Sequence, residues 1–353
     1  MLFVHLNTVE FRKELRRYRK EAVVVAGRHE GSSFIHDTSQ DSSKLRQRIR
    51  RLPKAIIIGS RKSGTRALLK FLEVNPTIKS ANREVHFFDK ATNYMKGLNW
   101  YKSIMPETSE HEITIEKSPS YFVTKGVPER IKAMNSSLKL ILILRNPVER
   151  LISDFSQLVA NKIHTPSKED LETRMNSASY NLSNNETSLS DSSSVTNEIL
   201  WKRAEKDFET YVLRPDGGVD EQRRAIRVGM YSVHLEKWMS IFPKDQIHFV
   251  NGDQMITEPH IELRKIEKFL GIAPVIQADH FVFNPLKGFY CLSTNTSSGS
   301  AGELSTNIIE VKCLSESKGR RHVKVRQELI EKLRNFYEPY NEYLNSMAGI
   351  NFN

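Results

Sequence analysis

Ala55-Ile56-Ile57-Ile58-Gly59-Ser60-Arg61-Lys62-Ser63-Gly64-Thr65-Arg66 is the stretch on which the fold turns. A continuous β-branched run of this kind predicts a parallel strand buried on both faces. It ends in a glycine-containing loop that leads into helical apolar spacing from Ala67 to Val74. A strand, such a loop and a helix N-terminus form an anion cradle, because successive N–H groups turn inward and the helix dipole adds partial positive charge. The spacing from Gly59 to Gly64-Thr65 imitates a Walker A loop, yet the closing Lys-Ser/Thr pair is absent and Lys62 sits in mid-loop. That pair serves the outer phosphates and Mg²⁺ of a nucleoside triphosphate, so its displacement argues against ATP or GTP hydrolysis.

Further strand-like runs follow at Ile113 to Ile115, Leu138 to Leu144 and Ile247 to Val250. Segments with helical spacing lie between and after them: Pro128 to Met134, Val148 to Ala160, Val233 to Ile241, Ile261 to Leu270 and Gln327 to Tyr340. Strands alternating with helices predict an α/β fold, a doubly wound, mainly parallel sheet with helices on both faces, whose ligands gather at the carboxyl ends of the strands. Two stretches break the pattern. Residues 173–200 are crowded with Ser, Asn and Thr and read as a low-complexity surface insertion, and residues 293–308 look similar. Residues 1–50 are polar, charged and short of apolar periodicity, so they read as a basic, poorly ordered tail or stem before a domain at 51–353.

The formal net charge is +11, which calls for a polyanionic partner, but seven of those charges fall within residues 1–54. A uniformly basic nucleic-acid-binding domain is therefore excluded, and any polyanion site in the folded part is a local groove. Cys291 and Cys313 are the two cysteines. One pair invites one disulfide, two unrelated thiols being the alternative, and no paired CxxC suggests a metal site. Sequons at Asn135, Asn181, Asn185 and Asn295 fit a secretory lumen. No apolar run approaches the roughly 20 residues of a membrane span, and the basic N-terminus lacks the apolar core of a signal peptide. Either an anchor is missing from this version of the chain or the protein is cytosolic.

The loop Lys62-Ser63-Gly64-Thr65-Arg66-Ala67-Leu68-Leu69 resembles the 5′-phosphosulfate-binding loop of Golgi sulfotransferases, and the heparan sulfate glucosamine 3-O-sulfotransferases in particular. The similarity extends over almost everything from Leu52 to the C-terminus, interrupted by the insertion near residues 173–200. It implies the P-loop-like sulfotransferase fold, 3′-phosphoadenylyl sulfate (PAPS) as sulfo donor with no metal required, a heparan sulfate acceptor, and a Golgi or other secretory location. It also implies a membrane anchor that this sequence does not display. The block Glu84-Val85-His86-Phe87-Phe88-Asp89 resembles the family's catalytic segment, where the glutamate is the general base. A sugar hydroxyl must lose its proton as it attacks sulfur, and a carboxylate within reach can accept it. His86 and Asp89 are expected to orient the base and the acceptor. Lys117, in Glu116-Lys117-Ser118-Pro119-Ser120-Tyr121-Phe122, resembles the lysine that reaches the sulfo group.

Arg145 and Ser153 resemble the pair that binds the donor's 3′-phosphate, where a guanidinium fork suits a dianion. Asn146 stands where family members often have Asp, which bears on local geometry. The resemblance further implies donor contacts from Arg61, Lys62, Ser63, Gly64, Thr65 and Arg66. After the cysteines, which it implies are disulfide-bonded, it adds Tyr290 and a clamp of Lys318, Gly319, Arg320, Arg321 and His322. Acceptor contacts are expected from Arg66, Arg83, Glu84, Lys117 and Gln157. The expected reaction is an in-line displacement with Glu84 taking the proton while Lys62 and Lys117 stabilise developing charge. Two rival readings remain: a kinase-like phosphotransferase, which lacks the loop-closing Lys-Ser/Thr, and a non-enzymatic heparin or nucleic-acid binder, which leaves Glu84 and the Lys62 loop unexplained.

Overall fold

The computed structural model describes residues 47–164, 189–296, 308–314 and 321–349. They gather into two compact units, one made of the chain up to Leu144 together with His234–Leu314, the other of Arg145–Val233 together with the chain from Ser315 onward.

The first unit is built on a five-stranded sheet. Its strands are β1 (Ala55–Gly59), β2 (Ile78–Ser80), β3 (Ile113–Lys117), β4 (Lys139–Leu144) and β5 (Ile247–Asn251), in the order β2-β3-β1-β4-β5. Every pairing is parallel. The order reverses around β1, which therefore stands at the topological switch point where ligands of such sheets bind. Alternation along the strands decides which residues meet which helices. Ala55, Ile57, Ile113, Ile115, Ile141, Ile143 and Val250 form one core with Leu68, Leu69, Phe71 and Leu72 of helix α1 (Thr65–Leu72) and with Leu263, Ile266 and Leu270 of a later helix, Pro259–Leu270. Ile56, Ile58, Leu140, Leu142 and Leu144, which alternate with them, are also fully buried, so the opposite face is covered too. Four of the five strands and the flanking helices agree with the sequence reading, which did not single out the edge strand Ile78–Ser80.

Helix α2 (Val127–Met134) follows a left-handed Gly126, and its buried Val127, Ile131 and Met134 recur on one face. Asn135, the sequon residue that ends it, accepts from the Ser137 N–H at 2.9 Å. Beyond the parallel sheet, β6 (Phe281–Asn284), β7 (Phe289–Thr296) and β8 (Ile308–Lys312) make an antiparallel sheet. A disulfide joins Cys291 of β7 to Cys313, the residue after β8.

The second unit is helical: α3 (Pro147–His164), α4 (Leu189–Val212), α5 (Arg224–Gly229) and α8 (Gln327–Ala348), with α6 (Tyr231–Met239) and α7 (Pro259–Leu270) lying between α5 and α8 in the chain. Asn146 caps α3, its Oδ1 accepting from the Val148 N–H at 3.0 Å and the Glu149 N–H at 3.3 Å. Asparagine does this as well as aspartate, so the departure from the family pattern preserves the cap. The core unites Leu151, Ile152, Phe155 and Val159 of α3 with Ala204, Phe208 and Val212 of α4, Ile226 of α5, and Leu329, Leu333 and Tyr337 of α8.

Three stretches differ from the sequence reading. Residues 293–296 and 308, read as part of a second insertion-like stretch, belong to β7 and β8. Residues 49–50, assigned to the tail, pair with Glu107–Thr108, and Arg48 bonds the Glu107 carbonyl at 2.8 Å, so this part of the tail is joined to the folded unit. Residues 1–46 of the tail lie outside the described residues, as does 173–188 of the insertion. Residues 189–200 are the first half of α4. The i, i+3, i+4 row Trp201, Ala204, Phe208 and Val212 anchors that helix in the core, and its Ser-rich beginning extends an already nucleated turn.

Candidate active site

β1 delivers the chain into the anion loop, and close packing explains its glycines. A Cβ on Gly59 would lie 2.6 Å from the Phe122 Cβ and 3.2 Å from the Pro119 carbonyl, so the loop after β3 presses directly against the end of β1. Gly64 has φ 100°, the left-handed region, and starts α1 without a side-chain cap. The first-turn N–H groups of α1 are thus available to an anion. Lys62 is itself left-handed, at φ 71°. The hydroxyls of Ser60 and Ser63 are buried and lack a hydrogen-bond partner. A buried, unpartnered hydroxyl costs stability unless something satisfies it. Ser60 went unnoticed in the sequence, since only burial distinguishes it from any loop serine.

The second layer of the site is Glu84–Asp89. Phe87 and Phe88 are fully buried among Tyr101 and Tyr121, with Phe87 stacked on Tyr101 at 4.4 Å, and the Tyr121 hydroxyl accepts the Phe87 N–H at 2.8 Å. The aromatic pair anchors the segment and leaves Glu84, His86 and Asp89 on its open side. His86 adopts φ 52°. Its Nδ1 lies 2.9 Å from Asp89 Oδ2 and its Nε2 3.3 Å from Glu84 Oε2. Lys117, at the carboxyl end of β3, donates to Glu84 Oε1. Ser120 donates to Asp89 and lies 3.2 Å from His86 Nδ1. Four residues named from the sequence, Glu84, His86, Asp89 and Lys117, therefore converge on one cluster.

The Lys117 side chain is 6% exposed while Glu84 is 42% exposed, so the carboxylate faces solvent and its cation does not. The hydrogen bond from His86 and the charge and hydrogen bond of Lys117 hold Glu84 at a pKa of about 2, against a smaller opposing effect of burial. Hydrogen bonds to Asp89 and Glu84 raise His86 to about 9. At neutral pH the imidazole is therefore a cation donating from both nitrogens. That removes it as an alternative base and fits it for orienting Glu84. Burial pushes Asp89 upward, but hydrogen bonds from His86 and Ser120 outweigh it and keep the carboxyl below its ordinary value.

Arg61, Arg66 and Arg83 are exposed. Thr65 is buried at the start of α1. Tyr290 pairs with Phe283 across β6 and β7, their rings 5.5 Å apart. In the second unit, the Arg145 carbonyl accepts from the Tyr231 hydroxyl at 3.1 Å, and its guanidinium is 4.0 Å from Glu149. Ser153 is buried on α3, and Gln157 one turn later donates to Asn161 at 2.6 Å. Arg321 is occupied by Glu198 and by Glu205 at 3.7 Å, with its guanidinium over the Trp201 ring, and His322 is exposed. Lys318, Gly319 and Arg320 lie outside the described residues.

Residues 52–350 match the family described as "Sulfotransferase domain". Heparan sulfate glucosamine 3-O-sulfotransferase 5 of Mus musculus is 39% identical over 90% of this chain and 78% of its own length. Heparan sulfate glucosamine 3-O-sulfotransferase 6 of Homo sapiens is 37% identical over 86% of this chain and 74% of its own. Among solved structures, a sulfotransferase from Alicyclobacillus acidocaldarius aligns with 85% of this chain and 97% of its own at 16% identity and a TM-score of 0.49.

Proposed function

Because the chain belongs to the sulfotransferase-domain family, among the heparan sulfate glucosamine 3-O-sulfotransferases, we propose that the Glu84 cluster and the Lys62 loop transfer a sulfo group from PAPS to the 3-hydroxyl of glucosamine in heparan sulfate. The observation that carries this reading is a solvent-facing carboxylate held between a buried lysine and a histidine cation. When bound, PAPS supplies an activated sulfo group on a phosphate leaving group. The loop suits such a donor. The α1 N-terminus offers N–H groups, Lys62 offers charge, and the Ser60 and Ser63 hydroxyls need partners.

Glu84 accepts the acceptor hydroxyl's proton through whichever oxygen is released from its cation. A carboxylate at about pKa 2 is a weak base. Its basicity would rise if Lys117 turned its charge toward the bridging oxygen of a bound donor, where charge grows as the S–O bond to the leaving bisphosphate breaks, and His86 would keep the carboxylate oriented. Lys62 meets the donor before and during transfer, so Lys62→Ala should weaken donor affinity and slow turnover together. Arg145, Ser153, Tyr290 and the 318–322 segment complete the donor contacts in this reading. Arg66, Arg83 and Gln157 serve the acceptor. The disulfide and the family relationship favour a secretory compartment such as the Golgi lumen. No helix among the described residues is long and apolar enough to cross a membrane.

Incubating the protein with labelled PAPS and heparan sulfate, then analysing the disaccharides, tests the reading directly: label on the glucosamine 3-hydroxyl is expected, and label elsewhere or none would overturn it. Adenosine 3′,5′-bisphosphate should also raise the melting temperature far more than ATP does, and equal, Mg²⁺-dependent protection by ATP would contradict the donor assignment.

A further inference from the structure

Glu116 has no functional role in the sequence reading. It lies inside β3 with no exposed surface, in register with Ile56 of β1. A carboxyl group in that position needs partners. The Ser118 hydroxyl donates to its Oε1, the Tyr101 hydroxyl donates to Oε2 at 3.2 Å, and the Val85 backbone amide also reaches it. Two of these partners flank the reacting cluster: Val85 follows Glu84 directly, and Ser118 follows Lys117.

Ser118 links the buried carboxyl to the site. While its hydroxyl hydrogen goes to Glu116, its oxygen accepts the His86 backbone N–H at 2.9 Å. His86 is left-handed at φ 52°, a conformation that a residue with a Cβ keeps where its surroundings hold it. In that conformation the ring spans Asp89 and Glu84. The Asn93 amide, donating to the Val85 carbonyl at 3.0 Å and the His86 carbonyl at 3.2 Å, fixes the other side of the same turn.

We propose that Glu116 is a positioning residue for sulfo transfer, acting through the Ser118 hydroxyl to hold the His86 turn from which the imidazole orients Glu84. The proposal rests on the assignment of Glu84 as the base. Among the described residues, the titratable groups Tyr101, Tyr121 and His86 interact with Glu116. Burial raises both tyrosines well above their ordinary value, and His86 is raised to about 9. Burial lifts Glu116 itself to about 7. Of this cluster, Glu116 is therefore the group that changes charge from about pH 6 to about pH 8. Ionised, it takes the Ser118 hydrogen and leaves the hydroxyl oxygen to the His86 amide. Protonated, its own hydrogen competes for that oxygen. Turnover should accordingly rise with pH through about 7.

The test measures kcat and KM for heparan sulfate sulfation across this range in wild type, Glu116→Gln and Ser118→Ala, together with melting temperature and affinity for adenosine 3′,5′-bisphosphate. Glu116→Gln should leave KM and bisphosphate affinity in place, lower kcat about tenfold and abolish the rise near pH 7. Ser118→Ala should reproduce the kcat loss, and the double variant should lose little more, because both act through one link. The proposal is overturned if Glu116→Gln keeps kcat within about twofold of wild type, or if stability and kcat fall while the pH rise persists. Should Glu116→Gln not fold, Ser118→Ala decides: reduced kcat with intact bisphosphate binding supports the link, and unchanged kcat refutes it. Failure of the underlying base assignment would look different, with Glu84→Gln retaining turnover.

Discussion

Two charged clusters invite comparison, one in each unit. In the first, Glu84, His86, Asp89 and Lys117 share hydrogen bonds while Glu84 stays 42% exposed. In the second, Arg150 is fully buried, bonding Asp154 at 3.0 Å and the Ala225 carbonyl, close to the Tyr337 hydroxyl that bonds Ile226 at 2.9 Å. The chemistry of the groups is similar and the surroundings are not. A sealed pair acts on stability, because removing one partner strands the other in low dielectric. An open pair contributes little to stability, since water screens it, but it can exchange its partners for a substrate. Exposure of a single oxygen, more than the number of charges, separates the sealed pair from the one proposed for catalysis.

The sharpest way to break this contrast is at the sealed pair. Arg150→Ala should destabilise the protein by about 3–5 kcal/mol in urea unfolding, and replacing both Arg150 and Asp154 with apolar residues of similar size should recover much of the loss. A loss well under 1 kcal/mol would place Arg150 with the open cluster. Next in size is the disulfide. Cys291→Ser with Cys313→Ser opens a loop whose ends are 22 residues apart, which should cost about 3 kcal/mol by the loop-entropy estimate. Calorimetry of the oxidised and doubly substituted proteins measures it.

The open cluster should answer in the opposite way. Glu84→Gln keeps shape and removes the proposed proton acceptor, so turnover should drop roughly 100-fold, while the melting temperature should fall less than in Arg150→Ala because the glutamine oxygen can still accept from the buried Lys117. Near-normal sulfation would exclude Glu84 as the base, and with His86 raised to about 9 it could not be replaced by the imidazole at neutral pH.

The parallel sheet was readable because β-branched runs buried on both faces have few alternative explanations, and the Lys62 loop because its spacing follows directly from the end of β1. The Glu84 segment was readable through resemblance alone, since an isolated glutamate before two phenylalanines says little. Glu116 was not recognised, although a glutamate inside Ile113-Thr114-Ile115-Glu116-Lys117 was a signal: alternation puts it inside a buried strand. The first half of α4 was missed because serine-rich composition outweighed an apolar row that begins later, at Trp201. Orphaned hydroxyls such as those of Ser60 and Ser63 depend on tertiary burial and leave no mark in composition.

The pH dependence sharpens the contrast further. His86, raised from 6.5 to about 9, contributes stability that is fully present below 6.5 and lost as pH rises through 9. Glu84, lowered from 4.5 to about 2, contributes stability present above 4.5 and lost as pH falls through 2. Both contributions coexist in the window between 4.5 and 6.5. Turnover should decline above about 9 as the imidazole loses the proton that orients Glu84. His86→Ala should lower kcat and remove that alkaline decline, and a decline that survives the substitution would assign it to another group.

The smallest stability effect is expected at Arg321, where the two uses of charge compete on one side chain. Its guanidinium meets Glu198 and Glu205 and covers the Trp201 ring, but it stands 39% exposed, so solvent screens the pairs. Arg321→Ala should therefore leave the melting temperature of the ligand-free protein almost unchanged. Its proposed place in the donor clamp makes a separate demand: affinity for adenosine 3′,5′-bisphosphate should fall by roughly tenfold, the scale of one charge-assisted phosphate contact. Glu198→Gln distinguishes the two uses, because freeing Arg321 from its carboxylate should leave bisphosphate affinity equal or higher. If Arg321→Ala and Glu198→Gln instead shift melting temperature together and leave affinity untouched, Arg321 serves only to fasten its own segment to α4, and the donor clamp must rely on its neighbours.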